Sequence, residues 1–437
     1  MTLLRNTCFA IKIKLYFLLV FLLPLCTRTA ASVVNSASAF KSQLSQDKAV
    51  ASVIRKVLQS GLETKKFHFP KSVLRLYSRS EFQPIWITPE KDILKTWEAL
   101  LILDCVLQFG LNRADYHPND LLYSTMHDIL EKPSKVNAGQ KAWFDMLLSD
   151  ALITIMNHLH FGKLNPVFTP AKLDQGEVQG FCAEDILLDA LRQPDFMAAV
   201  LNVQPKLREY VLMQDYMKLI KCQYADDCYE TPEGLVRKLA INMERLRWEA
   251  IQEATFIQVN IPSYTLKLQL PDTSYLFKVV LGRPSSPTPV LHRSVSRFST
   301  VVRPVADQVY GGVFFKFQNT FGIYINDALE QQLFETEMRA LSPGYIQVQQ
   351  GEKLAKILLN VDGQMQKYDL LHQAIADAQQ KTFNLKRPIP LKITYLTCAI
   401  DENGIVEYDD IYKMDKALEL AFYGWGNLPM QKQKKYK

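Results

Sequence analysis

The spacing of apolar residues changes once along this 437-residue chain, and that change restricts the fold more than any other feature. From Lys48 to about Arg247 apolar residues recur at helical intervals, clearest in Ile93-Leu94-Trp97-Leu100-Leu101-Leu103-Val106-Leu107, which stops at Gly110, and in Trp143-Met146-Leu147-Ala151-Leu152-Ile155-Leu159, which stops at Gly162. From Thr255 short β-branched and aromatic runs alternate with turns: Phe256–Val259, Tyr264–Leu268, Tyr275–Val280, Val313–Phe317 and Ile323–Ile325. Two helices are expected near Glu352–Asn360 and Gln366–Ala378. A hairpin should follow, from Ile389 to Ile400 and back through Asn403-Gly404 to Val406 and Tyr408, because Asn-Gly between apolar runs favours a tight turn. The pattern predicts a multidomain α+β protein: a helical domain over 45–222, a helical linker over 223–252, a mostly β domain over 253–415 and a tail over 416–437.

The N-terminus reads as an export signal. Arg5, Lys12 and Lys14 precede an apolar run from Leu15 to Cys26, and the small residues Thr29-Ala30-Ala31 follow. The run is shorter than the ~20 residues of a spanning helix, so cleavage is expected near Ala31, with no membrane span afterwards. Removing residues 1–31 lowers the formal charge from +6 to +2. That near-neutral balance, without basic blocks interleaved with aromatics, argues against nucleic acid as a partner. Five cysteines then remain, Cys105, Cys182, Cys222, Cys228 and Cys398. Cys222 and Cys228 could close a small disulfide, and no pair has the Cys-x-x-Cys spacing of zinc or redox sites.

Other local constellations carry little. His158 and His160 stand two apart on a helix, point to different faces and cannot share a metal. Asp226-Asp227 lacks a second acidic cluster, and Gly311-Gly312 lacks the helix that a phosphate cradle needs. Phe82-x-Pro84-x-Trp86 is read as seeding the helical core rather than docking a partner. No cofactor and no metal site is expected.

Several motifs in one order resemble the YkuD-type L,D-transpeptidases, in particular the large periplasmic members with a helical scaffold domain. In the helical half these are Phe82-Gln-Pro-Ile-Trp86, Gly110-Leu-Asn-Arg-Ala-Asp-Tyr116 and Phe161-Gly-Lys-Leu-Asn-Pro166. In the β half they are Glu244-Arg-Leu-Arg-Trp248, Val259-Asn-Ile-Pro-Ser-Tyr-Thr-Leu-Lys-Leu268, Val279-Val-Leu-Gly-Arg-Pro284, Thr288-Pro289 and the closing stretch from Ile393 to Tyr412. The resemblance spans roughly residues 45–415 and implies a periplasmic protein of peptidoglycan metabolism. Enzymes of this kind join stem peptides through a cysteine thioester that an acceptor amine then releases.

Such chemistry needs a low-pKa nucleophile, an adjacent base and donors for an oxyanion. The resemblance implies a Ser-His-Gly-Cys-Ile-Arg signature and a preceding His-Asp pair. This chain reads Ser342-Pro343-Gly344-Tyr345-Ile346-Gln347, with Asn326-Asp327 before it. Tyr345 stands for the nucleophile, with a phenol pKa of ~10 against ~8.5 for a thiol. Asn326 stands for a histidine but does not titrate in the useful range, Pro343 replaces the signature histidine, and Gln347 replaces a cation. Asp327, Ser342 and Gly344 are kept, as residues of the turn or of a remaining peptide groove. A serine mechanism at Ser342 lacks its activator, and Cys398 and His292 are poor replacements for nucleophile and base.

Only Val290 to Gly312 separates Thr288-Pro289 from the site strands, too little for the substrate lid usual in such proteins, and Cys222 to Asn242 is too short for their peptidoglycan-binding module. The expectation is an exported pseudoenzyme that binds a peptidoglycan stem peptide or an envelope protein. The opposing reading is a working transferase with a non-standard nucleophile.

Overall fold

The computed structural model describes residues 47–61, 64–87, 93–132, 134–221, 234–249, 253–305, 308–328 and 330–424. The expected signal segment, Cys222, Cys228, Asp226-Asp227 and the chain beyond 424 lie outside the described residues.

The helical half is organised around one helix, Ala138–Phe161, buried on nearly every side. A helix apolar all round has to sit inside a core rather than on it. Asn137 and Gln140 close a capping box at its start, and Gly162 ends it where a Cβ would come within 2.7 Å of Glu244 Oε1 and the Trp248 ring. Its few buried polar residues anchor the preceding chain. Asp145 accepts the Tyr77 hydroxyl at 2.5 Å and the Ile85 and Trp86 amides at 2.8 Å, while Ser149 Oγ accepts the Trp86 indole N–H at 2.9 Å. The Phe82–Trp86 segment is therefore a core element, with Trp86 fully enclosed.

The β half contains β1 (Phe256–Asn260), β2 (Thr265–Gln269), β3 (Ser274–Gly282), β4 (Leu291–Val305), β5 (Gln308–Lys316), β6 (Ile325–Asp327), β7 (Ala340–Ser342), β8 (Ile346–Val348) and β9 (Thr382–Thr394). They form one sheet in the order β2-β1-β9-β4-β5-β6-β8-β3-β7, and the further pairing of β2 with β3 closes it on itself. Closure of the ring from β2 to β3, with β7 attached outside it, leaves few free edges and turns one face inward. Val259, Leu266, Val279, Val295, Val313, Ile325, Ile346 and Leu391 fill that interior. The helices Gly351–Val361 and Tyr368–Ala376 add Leu354, Leu358 and Leu371 to the same core.

Two features depart from the sequence reading. Most of the segment from Val290 to Gly312 is β4 and the start of β5, a long antiparallel pair that the sequence reading did not assign as strands. Its strand pattern is hard to read because a bulge between Val295 and Arg297 breaks the two-residue period. The closing stretch also divides: β9 belongs to the closed sheet, whereas β10 (Cys398–Asp401) and β11 (Gly404–Glu407) make a separate hairpin. That hairpin packs into the helical core, where Leu396 and Cys398 are buried. The helix Asp415–Phe422 follows it there with Phe422, in a stretch expected to be mostly tail.

The two halves meet along the helix Gly234–Arg247. Asn242 accepts the Thr397 amide at 2.8 Å and donates to its hydroxyl at 2.9 Å, and Arg245 pairs with Asp415 at 2.6 Å. A helix expected as linker is thus part of the packed interior.

Candidate functional site

β6 and β8 run parallel, with Ile325 opposite Ile346, Asn326 opposite Gln347 and Asp327 opposite Val348. Because side chains alternate along a strand, Ile325 and Ile346 enter the core while Tyr324, Asn326, Tyr345 and Gln347 share the outer face. The four positions read from the sequence therefore come together: Asn326 and Gln347 on adjacent strands, Pro343 and Tyr345 in the turn between β7 and β8.

The turn is fixed from within and without. Ser342 Oγ accepts the Gly344 amide at 3.1 Å and donates to the Tyr345 carbonyl at 2.5 Å. Gly344 has φ +125°, which a side chain would resist. From the loop after β3, Ser286 Oγ donates to the Pro343 carbonyl at 2.7 Å. Thr288 Oγ1 accepts the Gly282 amide and donates to the Gly344 carbonyl, both at 2.9 Å. The Tyr412 hydroxyl completes the staple, donating to the Gly282 carbonyl at 2.5 Å and accepting the Thr288 amide at 3.1 Å. The Thr288-Pro289 motif thus acts as a strut under the turn.

Asp327 Oδ1 accepts the Gly351 amide at 2.9 Å and so caps the helix Gly351–Val361. Sequence reading leaves Asp327 and Ser342 available to a peptide groove. In the structure their oxygens serve the helix start and the turn.

Tyr345 is half-buried and stacks on Tyr324, with ring centroids 5.1 Å apart and planes 10° from parallel. Tyr324 in turn meets Phe314 of β5 at 4.6 Å. An aromatic row thus crosses three strands on the outer face. Beside it Asn326 is 9% exposed; its Nδ2 donates to the Asp327 carbonyl at 3.3 Å, while its Oδ1 is buried without a hydrogen-bond partner. Val280, Ala328 and Phe334 form a small apolar cluster nearby.

Replacement groups lie elsewhere. His292 is on β4, with β5 between it and β6, and His372 meets Glu352 at 2.8 Å. Cys398 sits in the helical core, and burial pushes its thiol up to about 12. A cavity of about 780 Å³ opens at the seam between the halves, walled by Phe181, Leu207, Arg247, Glu249 and Phe256, and no signature residue lines it. Sequence reading missed one cluster altogether: His68, His117 and Asp150 meet in the helical half. No short spacing marks them, since three separate segments supply them.

A helical scaffold joined to a closed β sheet, with a stapled turn between β7 and β8, defines the class. The Scaffold domain family matches residues 71–217, within the helical half. A Haemophilus influenzae protein assigned as an L,D-transpeptidase is 29% identical over 131 residues, 30% of this chain and 26% of that protein. The match spans about a quarter of that relative's length. Among solved structures, Enterococcus faecium L,D-transpeptidase matches at 16% identity over 32% of this chain and 50% of that one, with a TM-score of 0.19. The L,D-transpeptidase of Mycobacterium smegmatis matches at 12% identity over 32% and 58%, with a TM-score of 0.20. Likenesses that low carry no weight for the whole chain, and the fold rests on its own strand pairings. The chain carries a Scaffold domain in its helical half and is similar over part of its length to an L,D-transpeptidase.

Proposed function

We propose that this chain is an exported, periplasmic L,D-transpeptidase-like protein that has lost acyl transfer and acts by binding a cell-wall stem peptide or an envelope protein. One observation carries the reading: the nucleophile position is Tyr345, held face to face with Tyr324. A phenol in that pair has no base beside it to activate it as a nucleophile, since the neighbouring strand offers the amide of Asn326. Pro343 and Gln347 remove the remaining imidazole and cation of the signature. The stapled turn keeps the frame of the site while its reactive groups are gone, which suits recognition better than catalysis.

Mass spectrometry of the purified chain after incubation with a tetrapeptide stem or a carbapenem tests the loss of chemistry. The unmodified mass is expected, and an acyl adduct on any residue refutes it. Retention on purified sacculi tests the binding partner: retention supports the stem peptide, and its absence leaves an envelope protein as the partner.

A further inference from the structure

His68 lies just ahead of the helix Pro70–Arg79, His117 follows the short turn Arg113–Asp115, and Asp150 is midway along Ala138–Phe161. The fold brings them to one point. His117 Nε2 is 2.7 Å from Asp150 Oδ2, His68 Nδ1 is 3.8 Å from the same oxygen, and all three donor atoms lie within 4.8 Å of one another. The two imidazoles stack, with centroids 4.9 Å apart and planes 13° from parallel.

A hydrogen-bonded clamp accounts for only part of this. It explains His117 against Asp150, but at 3.8 Å the His68 nitrogen makes no hydrogen bond with that carboxylate and meets only the Thr154 hydroxyl, at a long 3.5 Å. An ion between the three atoms would use all of them. Ligand distances of 2.0–2.2 Å in a tetrahedron set neighbouring donors about 3.3 Å apart. The observed 2.7 and 3.8 Å straddle that value and no pair exceeds 4.8 Å, so shifts of about 1–1.5 Å bring the donors into place.

The surroundings favour an ion. Asp150 is fully buried and already oriented, its Oδ1 accepting the Phe69 amide at 2.9 Å and its Oδ2 the His68 amide at 3.0 Å. A carboxylate fixed this way holds its geometry without a metal. The nearby Lys163 ammonium is spent on Asp115 at 2.7 Å. The His68 side chain is 45% exposed and that of His117 11%, so one side remains open for a water and for ion access.

We propose that His68, His117 and Asp150 form a site for a divalent transition ion of zinc chemistry, bound by two imidazole nitrogens and one carboxylate oxygen with the fourth position open to solvent. The ligand set is that of a borderline ion rather than of calcium or magnesium, which take oxygen donors. The site ties three segments of the helical half together and is independent of the transpeptidase reading, since none of its residues belongs to the turn.

The purified full chain, stripped with chelator and dialysed against zinc sulfate, is assayed for metal content, and its cobalt form for the visible absorption of a tetrahedral centre. One equivalent of zinc and the cobalt band are expected, with affinity at least about tenfold weaker in H68A and H117A. H127A, which alters an exposed histidine paired with Glu131, should bind like the parent. Circular dichroism checks that each variant is folded; if H117A is not, exposed His68 supplies the deciding variant. Absence of bound zinc, or unchanged binding in folded H68A, overturns the proposal.

Discussion

Tyr345 and Tyr324 lie parallel, 5.1 Å between ring centroids, so the Tyr345 side chain is one half of an aromatic pair beside the paired strands β6 and β8. In a double-mutant cycle of Y345A and Y324A the two rings should couple by about 0.5–1.5 kcal/mol. Urea unfolding of the four proteins measures it, and additive losses would mean that the rings contribute separately.

Asn326 should be a poor residue for stability. Its Oδ1 is buried without a partner, and an unsatisfied buried acceptor costs about 1–3 kcal/mol. Asn326→Leu, which keeps the branching of the side chain while removing its polar atoms, is expected to raise the unfolding free energy by about 1 kcal/mol, read as a higher urea midpoint with an unchanged slope. A lower midpoint would show that the amide contributes more through its 3.3 Å bond than its oxygen costs.

In the helical half the largest single loss should come from Asp145. Removing it strands the Ile85 and Trp86 amides inside the core and leaves the Tyr77 hydroxyl with Ser149 Oγ alone. D145A is expected to cost about 3 kcal/mol or more, and Y77F about 1 kcal/mol, because it removes one donor only. Similar losses in the two variants would contradict this ranking.

Glu249 gives the protein a pH dependence. Burial raises its carboxyl from 4.5 to about 7, against the opposing pull of Lys392, which approaches to 3.6 Å. The folded chain thus keeps a proton that the unfolded chain has released. The stabilisation from that proton is full below pH 4.5, declines through the interval to about 7 and is gone above it, a difference of about 3 kcal/mol. Thermal unfolding at pH 5 and pH 8 should show the fall in the parent and a flatter dependence in E249Q; equal slopes would refute it.

Of the candidate site, Ser342 to Gln347 stand out in the sequence because they are nearly contiguous, and the fold brings them beside Asn326 on the adjacent strand. The strut under it was half legible, since Thr288-Pro289 stands out in sequence, whereas Tyr412 comes from 124 residues further along and is placed by the fold alone. The change from helical to β spacing near Thr255 marks the two halves. It says nothing of β10 and β11, whose hairpin signal is local and carries no information on which core receives it. β4 escaped because Arg293, Ser294, Ser296 and Arg297 dilute its apolar alternation where the bulge interrupts it. His68, His117 and Asp150 could not be found by spacing at all, because three chain segments have to fold before they meet.

The return of β10, β11 and the helix Asp415–Phe422 to the first half means that the backbone passes between the two bodies more than once. One nick at the seam would leave them strapped together by the second passage. Force applied to the chain ends would load the helical body first, because both flanks of the described chain are rooted there, and would spare the closed sheet with its stapled turn until that body gives way.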